Sequence, residues 1–224
     1  GVSCAQLVRD KLSRGDYDGA KLALAKACEA GEKDSCFDLG ALYDGEGNAT
    51  QAGVFYAAAC DKNVAVACHK LGNLYQRGRL SRDFAAAARH YIKACDLGYA
   101  KSCHNAAVVY FTGGFGLAAD PAKAGSFFER GCDGGLVDSC YNAGVAYDKG
   151  FGAPQDRDKA EKLYTKSCEL GYGDACNNLG YLYVSKGDLR GFSKGLGCVK
   201  KGCDAGNKKS CQLYEFMKEQ ILKK

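Results

Sequence analysis

No stretch of this 224-residue chain holds eighteen consecutive apolar residues, so none reads as a transmembrane helix. There is no C-x2-C, the spacing that paired zinc knuckles require. Histidine is scarce: His69, His90 and His104 form neither H-E-x-x-H nor H-x-H, so neither a metal nor any other cofactor is expected. No serine is followed three residues later by lysine, and S-D-N and K-T-G do not occur, which leaves out the serine machinery of β-lactam-cleaving enzymes. The net charge of +5 is spread along the chain, and Lys223-Lys224 reads as a solvated end, so no nucleic-acid stripe is expected. No signal peptide heads the chain; the helix-like start after Gly1 reads as a mature or trimmed form.

What the chain has in excess is cysteine, fourteen in all, and most of it obeys one spacing. C-x7-C occurs six times: Cys28 with Cys36, Cys60 with Cys68, Cys95 with Cys103, Cys132 with Cys140, Cys168 with Cys176 and Cys203 with Cys211. The first cysteine ends a helical run, the second opens another, and a short turn such as Asp-Leu-Gly-Tyr lies between. Two antiparallel helices joined this way bring their ends together, so a disulfide can close across each turn. In the chain-entropy picture such a loop is worth roughly 2.5 kcal/mol per bridge. Disulfides at this density place the chain in an oxidising compartment, secreted or periplasmic, with the mitochondrial intermembrane space as the alternative. Cys4 and Cys198 are left over and expected to be unpaired. Cys4 sits where later repeats have their second cysteine, and Cys198 replaces a packing residue, Leu163 or Phe127.

A period of this length means a stacked repeat. One all-α, α/α solenoid domain is expected over 1–224, with repeats at about 1–33, 34–65, 66–100, 101–137, 138–173 and 174–208 and a capping helix over 209–224, where Leu213, Phe216, Met217 and Ile221 make an apolar face. Gly40, Gly72, Ala107, Gly144 and Gly180 recur four residues after the second cysteine. Ala20, Ala52, Ala87, Ala124, Ala160 and Gly195 recur eight before the next first cysteine. Small residues facing one another let the helices of a repeat approach closely. Tyr43, Tyr75, Tyr110, Tyr147 and Tyr183, at the seventh position, are expected between repeats, and His90 on a core face. Asp120-Pro121 reads as an N-cap and first-turn proline. Gly191, Gly195, Gly197 and Gly202 predict that the helix carrying them is the shortest or least regular, since glycine costs about 1 kcal/mol against alanine inside a helix.

These motifs carry a resemblance. C-x-x-L-G-x-x-Y, the G-x-G turn and the stretch from Asp156 to Tyr172 (D-R-D-K-A-E-K-L-Y-T-K-S-C-E-L-G-Y) look like Sel1-like repeats, and a C-x7-C pair in every repeat resembles the Helicobacter cysteine-rich proteins. The resemblance implies a right-handed superhelix of TPR-like hairpins, each closed by a disulfide, in a secreted or periplasmic protein. It also implies a penicillin-binding or weakly β-lactamase activity, or host interaction. No residues here support the hydrolase, so any β-lactam turnover is expected far below ordinary enzyme rates of about 10 per second.

The favoured function is a scaffold binding a peptide or protein on its concave surface; the alternatives are the penicillin-binding reading and a thiol-handling or assembly factor. A monomer is expected, with no nucleic-acid partner and no catalytic residues. First helices line the inner surface of such superhelices, and places one, two and five after the second cysteine lie off the packing stripe. They hold Phe37, His69, His104, Tyr141 and Asn177; then Lys70, Asn105, Asn142 and Asn178; then Asn73 and Tyr181. The asparagines are expected to stack as a ladder whose amides pair with an extended peptide backbone. Lys70 and the histidines would favour an acidic group, more so below about pH 6.5.

Overall fold

The computed structural model describes residues 3–222; the contribution expected of the Ile221 side chain and the Lys223-Lys224 end lie outside the described residues. Thirteen helices follow one another: α1 (Cys4–Ser13), α2 (Tyr17–Glu29), α3 (Lys33–Gly45), α4 (Ala49–Asp61), α5 (Ala65–Gln76), α6 (Phe84–Asp96), α7 (Ala100–Thr112), α8 (Pro121–Asp133), α9 (Val137–Lys149), α10 (Arg157–Glu169), α11 (Gly173–Val184), α12 (Leu189–Asp204) and α13 (Lys208–Leu222). No strand and no helix able to cross a membrane occurs among the described residues. The chain falls into two compact units, residues 1–119 and 120–224. In each unit, first (odd-numbered) helices alternate with second (even-numbered) helices, sequential neighbours packing together.

The two kinds of helix start differently. Every second helix is capped by an acidic or amide side chain: Asp16, Asn48, Asp83, Asp120, Asp156 and Asp188 each accept from a backbone N–H three residues on, and Pro121 fills the first position of α8 as expected. The first helices α3, α5, α7, α9 and α11 have no such cap. They are anchored by the preceding turn instead.

All six C-x7-C pairs are bonded within themselves. Cys28 is joined to Cys36, Cys60 to Cys68, Cys95 to Cys103, Cys132 to Cys140, Cys168 to Cys176 and Cys203 to Cys211, with Cα–Cα distances of 4.4–4.8 Å. The third residue of every spacer has positive φ: Gly31, Asn63, Gly98, Gly135, Gly171 and Gly206, a conformation that glycine and, less readily, asparagine adopt. Of the second cysteines, Cys36, Cys68 and Cys140 are completely buried and Cys103 and Cys176 nearly so, so these bridges are part of the core. Cys211, in the last bridge, is half-buried. Each bridge joins the second helix of one repeat to the first helix of the next.

Inside a repeat the small-residue rule has a specific partner. Tyr56, Tyr91 and Tyr164, four residues before the first cysteine, are fully buried. Each lies against the glycine of the facing first helix: a Cβ at Gly40, Gly72 or Gly144 would stand 2.6–2.7 Å from the ring. In the last repeat the partner is Val199, 2.4 Å from a Cβ on Gly180. The seventh-position tyrosines are half-buried. Tyr43 stacks on Phe55 and takes Lys21 over its face; Tyr75 stacks on His90, whose imidazole burial holds below its ordinary pKa.

The glycine-rich helix corrects the expectation drawn for it. α12 is the longest described helix, at 16 residues. Cβ atoms at Gly191, Gly195 and Gly202 would meet Tyr183 O at 2.4 Å, Val184 Cγ2 at 2.8 Å and Ser210 Oγ at 2.4 Å. Close packing against α11 and α13 outweighs the propensity cost of these glycines.

Candidate functional site

The residues expected to face a groove divide between the two units. In the first, Asn73 and Asn105 come together around Tyr91. The Tyr91 hydroxyl lies 2.7 Å from Asn73 Oδ1 and 2.6 Å from Gln76 Oε1, and Asn105 Nδ2 donates to Asn73 Oδ1 at 3.4 Å. Burial pushes the Tyr91 phenol up to about 12. His69 is half-buried beside them, its Nδ1 2.8 Å from Ser102 Oγ and its ring against Tyr91 and Tyr99, with centroids 5.6 and 5.0 Å away. Burial, with Lys70, Lys101 and Arg77 adding to it, brings the His69 pKa down to about 4. His69 is therefore neutral in the range where protonation was expected to attract an acidic ligand. Lys70 and His104 are half-buried.

In the second unit, Tyr141 packs on Tyr164 and Tyr172, with centroids 6.0 and 5.0 Å away. Asn178 Nδ2 donates to the Tyr164 hydroxyl at 3.3 Å and reaches that of Tyr141 at 3.5 Å. Asn177, expected in the groove, is buried at 7% exposure with Oδ1 unpaired, so it packs between helices. Tyr181 is 55% exposed. It shares a cleft of about 250 Å³ with Asn178, Asp148, Lys149, Arg157 and Ser185. Asn142 is half-buried and makes no side-chain hydrogen bond among the described residues.

The asparagines thus have a role the spacing did not show. Asn105 and Asn178 follow second helices that carry a buried tyrosine, and they serve its hydroxyl. Asn142 follows Phe128, which has none to serve. The signal was present: the tyrosine recurs four residues before a first cysteine, and a buried phenol needs a partner.

No group of histidine, cysteine and carboxylate side chains suited to a metal occurs among the described residues. Cys4 and Cys198 are unbonded and partly buried. Cys198 packs beside Tyr183 and Leu179, and burial raises its thiol pKa, which disfavours the reactive thiolate.

The Sel1 repeat pattern matches residues 65–99, 100–136, 137–172 and 173–207, well over half of the chain. The chain belongs to the Sel1 repeat family. Among solved structures it is similar to c5321, a protective antigen present in uropathogenic Escherichia coli strains displaying an SLR fold, with a TM-score of 0.78 and 23% identity over 94% of this chain. It spans only 47% of that protein's length. It is likewise similar to a Sel1 repeat protein from Oxalobacter formigenes, with a TM-score of 0.73, 23% identity, and coverage of 92% of this chain and 87% of the other. Helicobacter pylori cysteine rich protein B overlaps 57% of the chain at 25% identity and a TM-score of 0.44. Comparison with curated proteins gives no match. At these identities the likeness speaks for the fold: an all-α Sel1 repeat solenoid whose successive helix pairs are stapled by disulfides.

Proposed function

We propose that this Sel1 repeat chain is a secreted or periplasmic scaffold that binds an extended peptide segment of a partner protein in the cleft at Tyr181. The family is one of protein-interaction scaffolds, and six disulfides fit an extracytoplasmic chain. The observation that carries the reading is Tyr181, an aromatic ring 55% exposed at the edge of a cleft and free to cover apolar atoms of a ligand. Asn142, whose amide makes no side-chain hydrogen bond among the described residues, offers a donor and an acceptor to a peptide backbone. Lys149, Arg157 and Asp148 at the same cleft suit a segment of mixed charge.

The test is selection from a displayed random-peptide library on the oxidised protein, followed by affinity measurement on Tyr181→Ala and Asn142→Ala. Selected peptides should lose at least tenfold in affinity on Tyr181→Ala, about the 1.4 kcal/mol expected of an aromatic anchor, while thermal stability stays put because the ring is exposed. Peptides that bind Tyr181→Ala as well as the parent protein would overturn the assignment, as would a selection that yields none.

A further inference from the structure

A second cleft, of about 620 Å³, opens between α1 and α3 in the first unit, outside the residues that match the Sel1 pattern. Its cause is legible in the repeat register. At three later joints, α3–α5, α5–α7 and α9–α11, two side chains fill the space between successive first helices. One is the residue after the second cysteine; the other is the residue at the N-cap of the next first helix. His69 meets Tyr99 with ring centroids 5.0 Å apart, Tyr141 meets Tyr172 at 5.0 Å, and Phe37 and Val64 join one apolar cluster. At the first joint these two places hold Ala5 and Glu32. The methyl group leaves the gap unfilled, and the carboxylate stands where those three joints have Val64, Tyr99 and Tyr172.

Val8, Leu12, Leu24 and Leu42 form the apolar part of the lining. Asp34 and Asp38, one helical turn apart on α3, stand on one wall. Neither has an ion-pair partner among the described residues, and like charges at this spacing repel. Glu32 accepts from Ser35 Oγ at 3.0 Å. Arg9, on α1, is the one cation of the lining. Three carboxylates against one guanidinium, around an apolar floor, complement a cation carried on an apolar segment.

We propose that the α1–α3 cleft is a docking site for a partner segment bearing a lysine or arginine between apolar residues. The cation sits between Asp34 and Asp38, its apolar neighbours lie on Leu12 and Leu42, and Arg9 faces backbone carbonyls of the segment. This site stands whether or not the cleft at Tyr181 takes a peptide.

The probe is a fluorescein-labelled, end-capped five-residue peptide with arginine between two leucines, compared with versions carrying norleucine or glutamate in place of the arginine. Fluorescence anisotropy on the oxidised full chain should show the arginine peptide binding at least tenfold tighter than the norleucine one, with the preference shrinking as salt rises. Asp34→Asn with Asp38→Asn should abolish the preference. Ala5→Phe, which restores the ring that other joints carry, should remove binding of all three peptides while leaving the fold intact by circular dichroism. Tyr181→Ala should change nothing. Equal binding of the three peptides, or a preference that survives in the double variant of Asp34 and Asp38, overturns the proposal. So does a concentration-dependent dimer in sedimentation that the same variant dissolves, because the occupant is then a second copy of this chain.

Discussion

Gly72→Ala and Gly197→Ala are the same chemical change in helices of the same repeat architecture, and they should move stability in opposite directions. A Cβ at Gly72 would stand 2.6 Å from Tyr91 Cε1 and 2.7 Å from Cδ1, whereas carbon atoms rest at about 3.5–4.0 Å. Tyr91 cannot swing away, because it is fully buried and its hydroxyl is held by Asn73 and Gln76. Forcing a methyl group into such a contact costs about 1–3 kcal/mol, and disturbing the phenol's hydrogen bond adds about 1 kcal/mol. The better helix propensity of alanine returns about 1 kcal/mol. The net loss of about 1–3 kcal/mol should lower Tm by about 2–12 °C for a chain of this size. A Cβ at Gly197 meets nothing within 4 Å, so there only the propensity gain remains, and Tm should rise by about 2–4 °C. Far-UV circular dichroism of the oxidised proteins, with all bridges verified by mass, reads both. A Gly72→Ala variant as stable as the parent chain would refute the packing argument, because the glycine would then be dispensable.

Two further outcomes follow from the bridges and the histidines. Mass mapping of unreduced digests should return the six C-x7-C pairs and no others, and reduction should loosen the fold markedly, at roughly 2.5 kcal/mol per bridge; a bond joining cysteines of two different pairs, Cys103 to Cys132 for instance, would contradict the architecture. Stability should fall as pH drops from about 6.5 to 4. His69 titrates near 4 when folded and near 6.5 when unfolded, so the unfolded chain takes up the extra proton in that window. Its neutral form contributes stability above 6.5, about 1–2 kcal/mol after allowance for solvent screening, and that is lost on the way to pH 4. Melting temperatures across this range should show the slope, and His69→Asn should flatten it.

Much of the fold was legible because the repeat states each contact several times. The seven-residue spacer recurs six times, and its third residue can take positive φ at every joint. The small residue at the fourth position recurs in the same way, and its partner is a ring or a branched side chain four residues before the first cysteine. The failures share a cause: a residue was judged by its own type and not by what faced it. Glycines in α12 counted as helix breakers until Tyr183, Val184 and Ser210 showed why no side chain fits there. Asn105 and Asn178 counted as free amides until the buried phenols of Tyr91 and Tyr164 claimed them. Asn177 counted as a groove residue because of its register, yet the register places it between helices.

Ala5 and Glu32 differ from Phe37, His69, His104 and Tyr141 in one column and from Val64, Tyr99, Leu136 and Tyr172 in the other, and the last joint departs in its own way with Asn177 and Asn207. A repeat protein binds through such departures. Residues that agree from repeat to repeat are committed to neighbouring repeats, through glycine against ring, bridge across turn and amide on phenol. A ligand can be held only by side chains those contacts leave over. Among the described residues these include Tyr181 and Asn142 in the second unit, and the unpaired Asp34 and Asp38 beside the gap at Ala5 in the first. A substitution at a committed position should therefore register as lost stability, and one at a left-over position as lost binding at unchanged stability. Gly72→Ala and Tyr181→Ala, measured side by side for both properties, separate the two classes. Were Tyr181→Ala to lower Tm as far as Gly72→Ala does, that ring would belong to the packing and the division would fail.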